Sequence, residues 1–186
     1  MTKTFILVMN QKGGTGKTIV SKALVENLKR DRQTATYQNE GKLEEAMLNH
    51  AEYIVYDMPS GVMDENLISS PMLSKIIIPV NLNKFSLVTL SRFIDNVKTI
   101  KEENPQWHKE IIVVLTEENE TPLTASIFET MQEAWAGLGV HVINLALAVS
   151  DENRRNMSPE LMEQTLLDRI GEDRKQELGE LLELVK

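Results

Sequence analysis

The chain has 186 residues, 20 Lys+Arg against 28 Asp+Glu, a formal net charge of −8 and no cysteine. A length in the range of roughly 100–200 residues suits one domain with one sizeable core. With 41 % apolar and 26 % charged residues, the composition excludes collagen-like, low-complexity and wholly disordered chains. The missing cysteines exclude disulfides, thiol nucleophiles, Fe–S clusters and Cys-ligated zinc. The three histidines, His50, His108 and His141, are scattered and show no metal-ligand spacing. No apolar run reaches the roughly 18–20 residues of a membrane span, and the N-terminus lacks the apolar stretch and cleavage site of a secretory signal. The chain therefore reads as cytoplasmic, with no membrane partner.

Charge is unevenly placed. Residues 1–42 carry eight Lys/Arg and three acids, a net of +5, whereas residues 43–150 carry six and fifteen, a net of −9. Residues 151–186 hold six and ten, a net of −4. A basic first third on an acidic chain suits a phosphate ligand near that end, and the acidic remainder argues against a broad nucleic-acid face.

In chain order, the continuous apolar run 4–9 predicts a strand buried on both faces. A glycine-rich turn at 13–16 leads into a helix over Lys17 to about Arg30. A weaker strand is expected over Gln33–Gln38 and a short helix over 42–49. Tyr53–Asp57 predicts another buried strand, 62–72 a helix, and Lys75–Val80 a further strand with Pro79 near its end. Residues 86–103 show a helical period with Ser86 as candidate N-cap. The strand Ile111–Leu115 follows, then a helix over 122–137 opened by Pro122 and stopped by Gly137. A strand over Val140–Leu147 and a helical stretch over 158–186, broken at Gly171 and Gly179, complete the chain. Alternating strands and helices predict an α/β fold: a doubly wound, mainly parallel sheet flanked by helices, spanning residues 1–186 as a single domain.

The strongest motif is Lys12-Gly13-Gly14-Thr15-Gly16-Lys17-Thr18, set between the first strand and the first helix. The general phosphate-loop pattern G-x-x-x-x-G-K-[ST] requires glycine at position 11, where this chain has Gln11. The chemistry nonetheless applies. Glycines 13, 14 and 16 permit a tight turn that aims backbone N–H groups inward at an anion, and the following helix presents its positive N-terminal end to the same anion. Lys17 is the residue expected to reach the β- and γ-phosphates, and the Thr18 hydroxyl to ligate Mg²⁺.

The loop with lysine at its second position resembles the deviant Walker A box of the ParA/MinD family of P-loop ATPases. The resemblance implies ATP and Mg²⁺ as cofactors. It implies that Lys12 crosses the interface of an ATP-dependent homodimer to the phosphates held by the other subunit. Residues 53–61, Tyr-Ile-Val-Tyr-Asp-Met-Pro-Ser-Gly, are similar to the family's Walker B strand and second switch. This implies that Asp57 holds Mg²⁺ and that Pro59, Ser60 and Gly61 turn toward the γ-phosphate. Asn81 and Asn83 stand near the end of the next strand.

The sequence departs from the family where D-x-D-x-Q is usual. Tyr37 and Asn39 stand in place of the two acids, with Glu40 one residue further on. Asn39 can orient a water by hydrogen bonding but cannot act as a carboxylate, and Glu40 is the alternative acid. The resemblance implies an Asn, present in many relatives, at the end of the strand where Thr116 and Glu117 stand here. The C-terminal stripe Leu161, Leu166, Leu167, Ile170, Leu178, Leu181, Leu182 and Val185 has an acidic opposite face, which suits a core or a protein partner rather than anionic lipid. The resemblance implies a ParB-like or other adaptor protein as partner. It also implies nonspecific DNA binding, for which Lys29, Arg30, Arg32, Arg154, Arg155, Arg169, Arg174 and Lys175 are the basic candidates. The expected function is a dimerising ATP switch in DNA partitioning or positioning, with slow or partner-stimulated hydrolysis. Two alternatives stay open: an ATP-binding assembly factor without hydrolysis, and a small-molecule synthetase on the same fold.

Overall fold

A computed structural model describes residues 3–31, 33–38, 50–61, 65–82, 84–116, 122–145 and 175–186, with single positions between 158 and 168. Among these, six strands form one sheet: β1 (Thr4–Val8), β2 (Ala35–Gln38), β3 (Tyr53–Asp57), β4 (Leu73–Val80), β5 (Glu110–Leu115) and β6 (Val140–Asn144). Every pairing is parallel and the spatial order is β2-β3-β1-β4-β5-β6. The helices whose bounds are described are α1 (Lys17–Arg30), α2 (Glu65–Ser69), α3 (Lys84–Glu103), α4 (Pro122–Trp135) and α5 (Lys175–Val185). None of the described helices is long and apolar enough to cross a membrane.

Strand side chains alternate between faces, so each central strand must be apolar at every position to be buried on both. In β1, Phe5 and Leu7 join one core layer with Leu90, Phe93, Ile94 and Val97 of α3. Ile6 and Val8 join the other, with Val20, Leu24 and Leu28 of α1 and Leu178, Leu181 and Val185 of α5. The helices thus cover both faces, as the alternation along the chain predicts.

Several expected boundaries change. The helix expected over 62–72 ends at Ser69, and its first three positions lie outside the described residues, as does the helix expected over 42–49. Ser86 is not the N-cap of α3, which begins at Lys84. Ser86 is fully buried, and its hydroxyl donates to Asn81 Oδ1, bracing the loop from β4 into the helix. The helix over 122–137 ends at Trp135 and tightens into a 3₁₀ turn over Ala136–Leu138. The left-handed residue there is Gly139, at φ 69°, not Gly137. β6 ends at Asn144, although buried Leu145 still donates its N–H to Leu115 O at 2.8 Å. Gly171 lies outside the described residues, and Gly179 does not break α5. Burial of Leu178, Leu181, Leu182 and Val185 on one face outweighs a helical glycine's cost of about 1 kcal/mol.

Pro79 is tolerated in a central strand for a geometric reason. Ile77 turns its carbonyl toward β1, where it accepts the Met9 N–H at 2.9 Å. Pro79, two residues on, faces the same side beyond the end of β1, so no ladder donor is missed.

The closure of the α1 layer by α5 is testable. Leu181 is fully buried, so Leu181→Ala is expected to cost about 2–5 kcal/mol. A urea midpoint unchanged from wild type would show that α5 does not seal this layer.

Candidate functional site

The pairing of β1 with β3 aligns Val8 with Asp57, and β1 also pairs with β4. The loops leaving β1 and β3 therefore emerge together at the carboxyl edge of the sheet, where open α/β sheets bind ligands. Met58 N donates to Val8 O at 2.9 Å and Gly61 N to Gln11 O at 2.8 Å, which ties the loops directly. Asn10 anchors the start of the glycine loop. Its Nδ2 donates to Pro79 O at 2.7 Å, and its Oδ1 accepts the Lys12 N–H at 2.9 Å. The Thr116 hydroxyl, at the end of β5, donates to Thr15 O at 3.2 Å. Asn10 and Thr116 are buried side chains that hold the loop's shape.

Gly14 and Gly16 have φ of 73° and 88°, a region costly for residues with a Cβ. Gly16 immediately precedes α1, whose N-terminus carries no side-chain cap. Gly13 is different: its φ is not positive, and a Cβ there would meet Ser60 Oγ at an ordinary 3.8 Å. Of the three loop glycines, two are therefore required by backbone conformation.

The polar side chains converge on a cleft of 490 Å³ bounded by the glycine loop, the start of α1 and the loop after β3. Lys17 is 8 % exposed, and its Nζ donates to Ser60 Oγ at 2.7 Å and to Lys12 O at 3.2 Å. Burial pushes its pKa below the ordinary 10.5, partly offset by the Asp57 carboxylate. The Thr18 hydroxyl donates to Asp57 Oδ2 at 2.7 Å, and the Tyr37 hydroxyl donates to the same oxygen at 2.9 Å. Helix-terminal N–H groups, a desolvated ammonium and a paired hydroxyl and carboxylate offer an anion and a hard cation complementary partners. A second hollow of 360 Å³ lies between Asn10, Gln11 and α3, but neither Lys17 nor the loop glycines line it.

Of the expected site residues, Lys12 through Thr18 and Asp57 lie in or beside this cleft. Lys12 is half-buried, with its carbonyl turned to Lys17. Asn39 and Glu40 lie outside the described residues, as do Asn83, Arg32, Arg154, Arg155, Arg169 and Arg174. Sequence reading missed the anchoring role of Asn10, because a lone asparagine after a strand carries no motif. It also missed the reach of Tyr37, which follows only once the register Tyr37↔Val55 places it beside β3.

No family model matches the chain, and no curated protein sequence does. Solved structures do. McdA from Cyanothece, in a complex of an Asp-to-Ala variant with ATP, superposes with a TM-score of 0.65 at 10 % identity, covering 99 % of this chain and 96 % of that one. The MinD cell division protein of Aquifex aeolicus gives 0.62 at 12 % identity, covering 96 % and 93 %. The ParA of pNOB8 gives 0.59 at 12 % identity, covering 97 % and 93 %. This chain has the fold of McdA, ParA and MinD. The likeness runs through nearly the whole length of each.

Gly16→Ala is expected to destabilise by about 1 kcal/mol or more through backbone strain, with Gly13→Ala near neutral. Equal denaturant midpoints for the two variants would contradict the assigned conformations. A lysine whose folded pKa is lowered costs stability below that pKa, and the cost is relieved as pH rises toward 10.5. Ligand-free Lys17→Met is therefore expected to melt above wild type at neutral pH, with the gap narrowing toward pH 10. A gap that is constant or widens with pH would remove the desolvated ammonium as its cause.

Proposed function

We propose that the chain is a compact ParA/MinD-type nucleotide switch, a single domain that binds Mg·ATP in the cleft after β1 and dimerises on doing so. The observation that carries this reading is the convergence of Lys17, Thr18 and Asp57 on one cleft beside a left-handed glycine loop at the start of α1. In this reading the N–H groups of residues 13–18 and the Lys17 ammonium hold the phosphates. The donor set at the cation position is a threonine hydroxyl and a carboxylate, hard oxygens that fit Mg²⁺ and leave room for water and phosphate ligands. Thr18 and Asp57 would hold that ion, which when bound neutralises charge between the β- and γ-phosphates.

Lys12 is assigned to the dimer interface. Two triphosphates brought face to face repel one another, and a lysine contributed by each protomer offsets that repulsion. Hydrolysis is assigned to water oriented by Asn39, with Glu40 as the neighbouring acid. An amide at that position supports slow turnover, raised by an adaptor partner. The cellular role is DNA partitioning or positioning, consistent with neighbours that include a plasmid partition protein of Borrelia burgdorferi (TM-score 0.56, 12 % identity, 89 % and 97 % covered). Lys29, Arg30 and Lys175 are exposed and are the described candidates for duplex phosphates in the dimer. A second reading, an ATP-bound assembly factor that acts by dimerising without turnover, is favoured by Asn39 itself.

Light scattering tests the switch. A doubled mass with Mg·ATP, a monomer with Mg·ADP and loss of the ATP dimer in Lys12→Ala are expected. An unchanged mass in both nucleotides would remove the dimer from the proposal. For the DNA role, retention of nonspecific duplex is expected to require ATP and to fall steeply with salt. Failure to retain duplex at low salt would confine the switch to protein partners.

A further inference from the structure

Within the Mg·ATP reading just given, we propose that Tyr37 is a positioning residue for the cation site: its hydroxyl fixes the Asp57 carboxylate that receives the metal.

The geometry begins on the strands. Tyr37 is the third residue of β2 and pairs with Val55, two residues before Asp57 on β3. That register lets a long side chain from one strand reach along its neighbour to the carboxylate at the strand's end. The Tyr37 hydroxyl donates to Asp57 Oδ2 at 2.9 Å, and Thr18 donates to the same oxygen at 2.7 Å. A carboxylate oxygen that holds two donors cannot swing about its Cβ–Cγ bond without breaking both bonds. Asp57 is 6 % exposed, so little water is at hand to replace them.

The tyrosine is itself held. The Lys22 ammonium, one turn into α1 from Thr18, lies 5.7 Å from the centroid of its ring. The ring is rigid, with two side-chain torsions, so its hydroxyl is placed by β2 and Lys22 together. The phenol also suits the electrostatics. An acid at position 37 would set a second negative charge against Asp57 and favour protonating one of the two. A lysine there would neutralise the charge that attracts the cation. A neutral hydroxyl orients the carboxylate and leaves its charge for the metal. Groups that hydrogen-bond a metal-binding carboxylate in this way typically contribute about 10–100-fold to metal affinity or activity.

The position also bears on the departure from D-x-D-x-Q. The first of the two family acids is replaced here by a residue that hydrogen-bonds the Walker B-like aspartate. The substitution is therefore read as a change in how the cation site is built, rather than as the loss of one of its parts.

The test is Tyr37→Phe, which removes the hydroxyl and keeps the ring beside Lys22. ATP affinity is measured by calorimetry in EDTA and again across a Mg²⁺ titration, for wild type and variant. The expected result is an EDTA affinity within about twofold of wild type and a Mg²⁺ half-saturation raised about tenfold. A purely structural role would weaken ATP equally with and without Mg²⁺, and that outcome overturns the proposal. An unchanged Mg²⁺ half-saturation overturns it as well, while leaving the Mg·ATP reading intact. Wild-type ATP binding that is indifferent to Mg²⁺ would overturn both. Asp57→Asn provides the reference, since it is expected to abolish the Mg²⁺ enhancement in either background.

Discussion

Placing β1 between β3 and β4 is the constraint on which the site depends. A parallel sheet sends every strand out through the same edge, so the strand neighbours decide which loops meet. Here the loop after β1 is flanked by the loop after β3 and by the end of β4. Gly61 N on Gln11 O and Asn10 Nδ2 on Pro79 O, at 2.8 and 2.7 Å, are the two ties that record this. Both bonds require β3 and β4 to flank β1. The same placement requires β1 to be apolar on both faces, because two helical layers close over it. The sequence Phe-Ile-Leu-Val at 5–8 meets that requirement, Met9 extends the apolar run one residue past the strand, and the polar residues begin at Asn10.

The charges in the cleft are arranged around this frame. Lys17 and Asp57 are opposite charges taken largely out of water, each hydrogen-bonded by neutral groups: Ser60 and a backbone carbonyl for the lysine, Thr18 and Tyr37 for the aspartate. Neutral partners leave each charge available to a ligand of opposite sign. The fold therefore carries a desolvation cost at this edge that a bound anion and cation would offset.

Much of this was legible in the sequence, and for identifiable reasons. β1, α1 and β3 are marked by continuous apolar runs and a glycine loop, signals set by local chemistry alone. The loop residues follow from that motif, and Asp57 from the resemblance carried by residues 53–61. What was not legible depends on tertiary context. Gly179 reads as a helix breaker until its neighbours Leu178, Leu181 and Leu182 are seen to be buried on one face. Ser86 reads as a cap until its hydroxyl is found on Asn81. Tyr37 reads as the loss of an acid until the β2–β3 register sets it against Asp57. For Ser86 and Tyr37 the deciding partner is several residues away or on another strand, and for Gly179 it is the layer of α1 and sheet residues against which its neighbours pack, where spacing rules have no reach.

The packing of α5 has a consequence for the order in which the chain acquires structure. Leu24 and Leu28 of α1 share their layer with Leu178, Leu181 and Val185, and Lys186 Nζ lies 2.8 Å from Asp31 Oδ2 at the end of α1. These contacts join segments more than 140 residues apart. During synthesis the first helix emerges long before the residues that cover it, and its apolar stripe must wait. The layer holding α2, α3 and α4 has its own partners earlier in the chain. One side of the sheet is thus free to consolidate before the leucines of α5 reach the side that bears the glycine loop and α1. The β1–α1 face lacks the apolar cover of Leu178, Leu181, Leu182 and Val185 until residues 175–186 are made, and transiently exposed apolar surface of that kind is what aggregates or engages chaperones during folding.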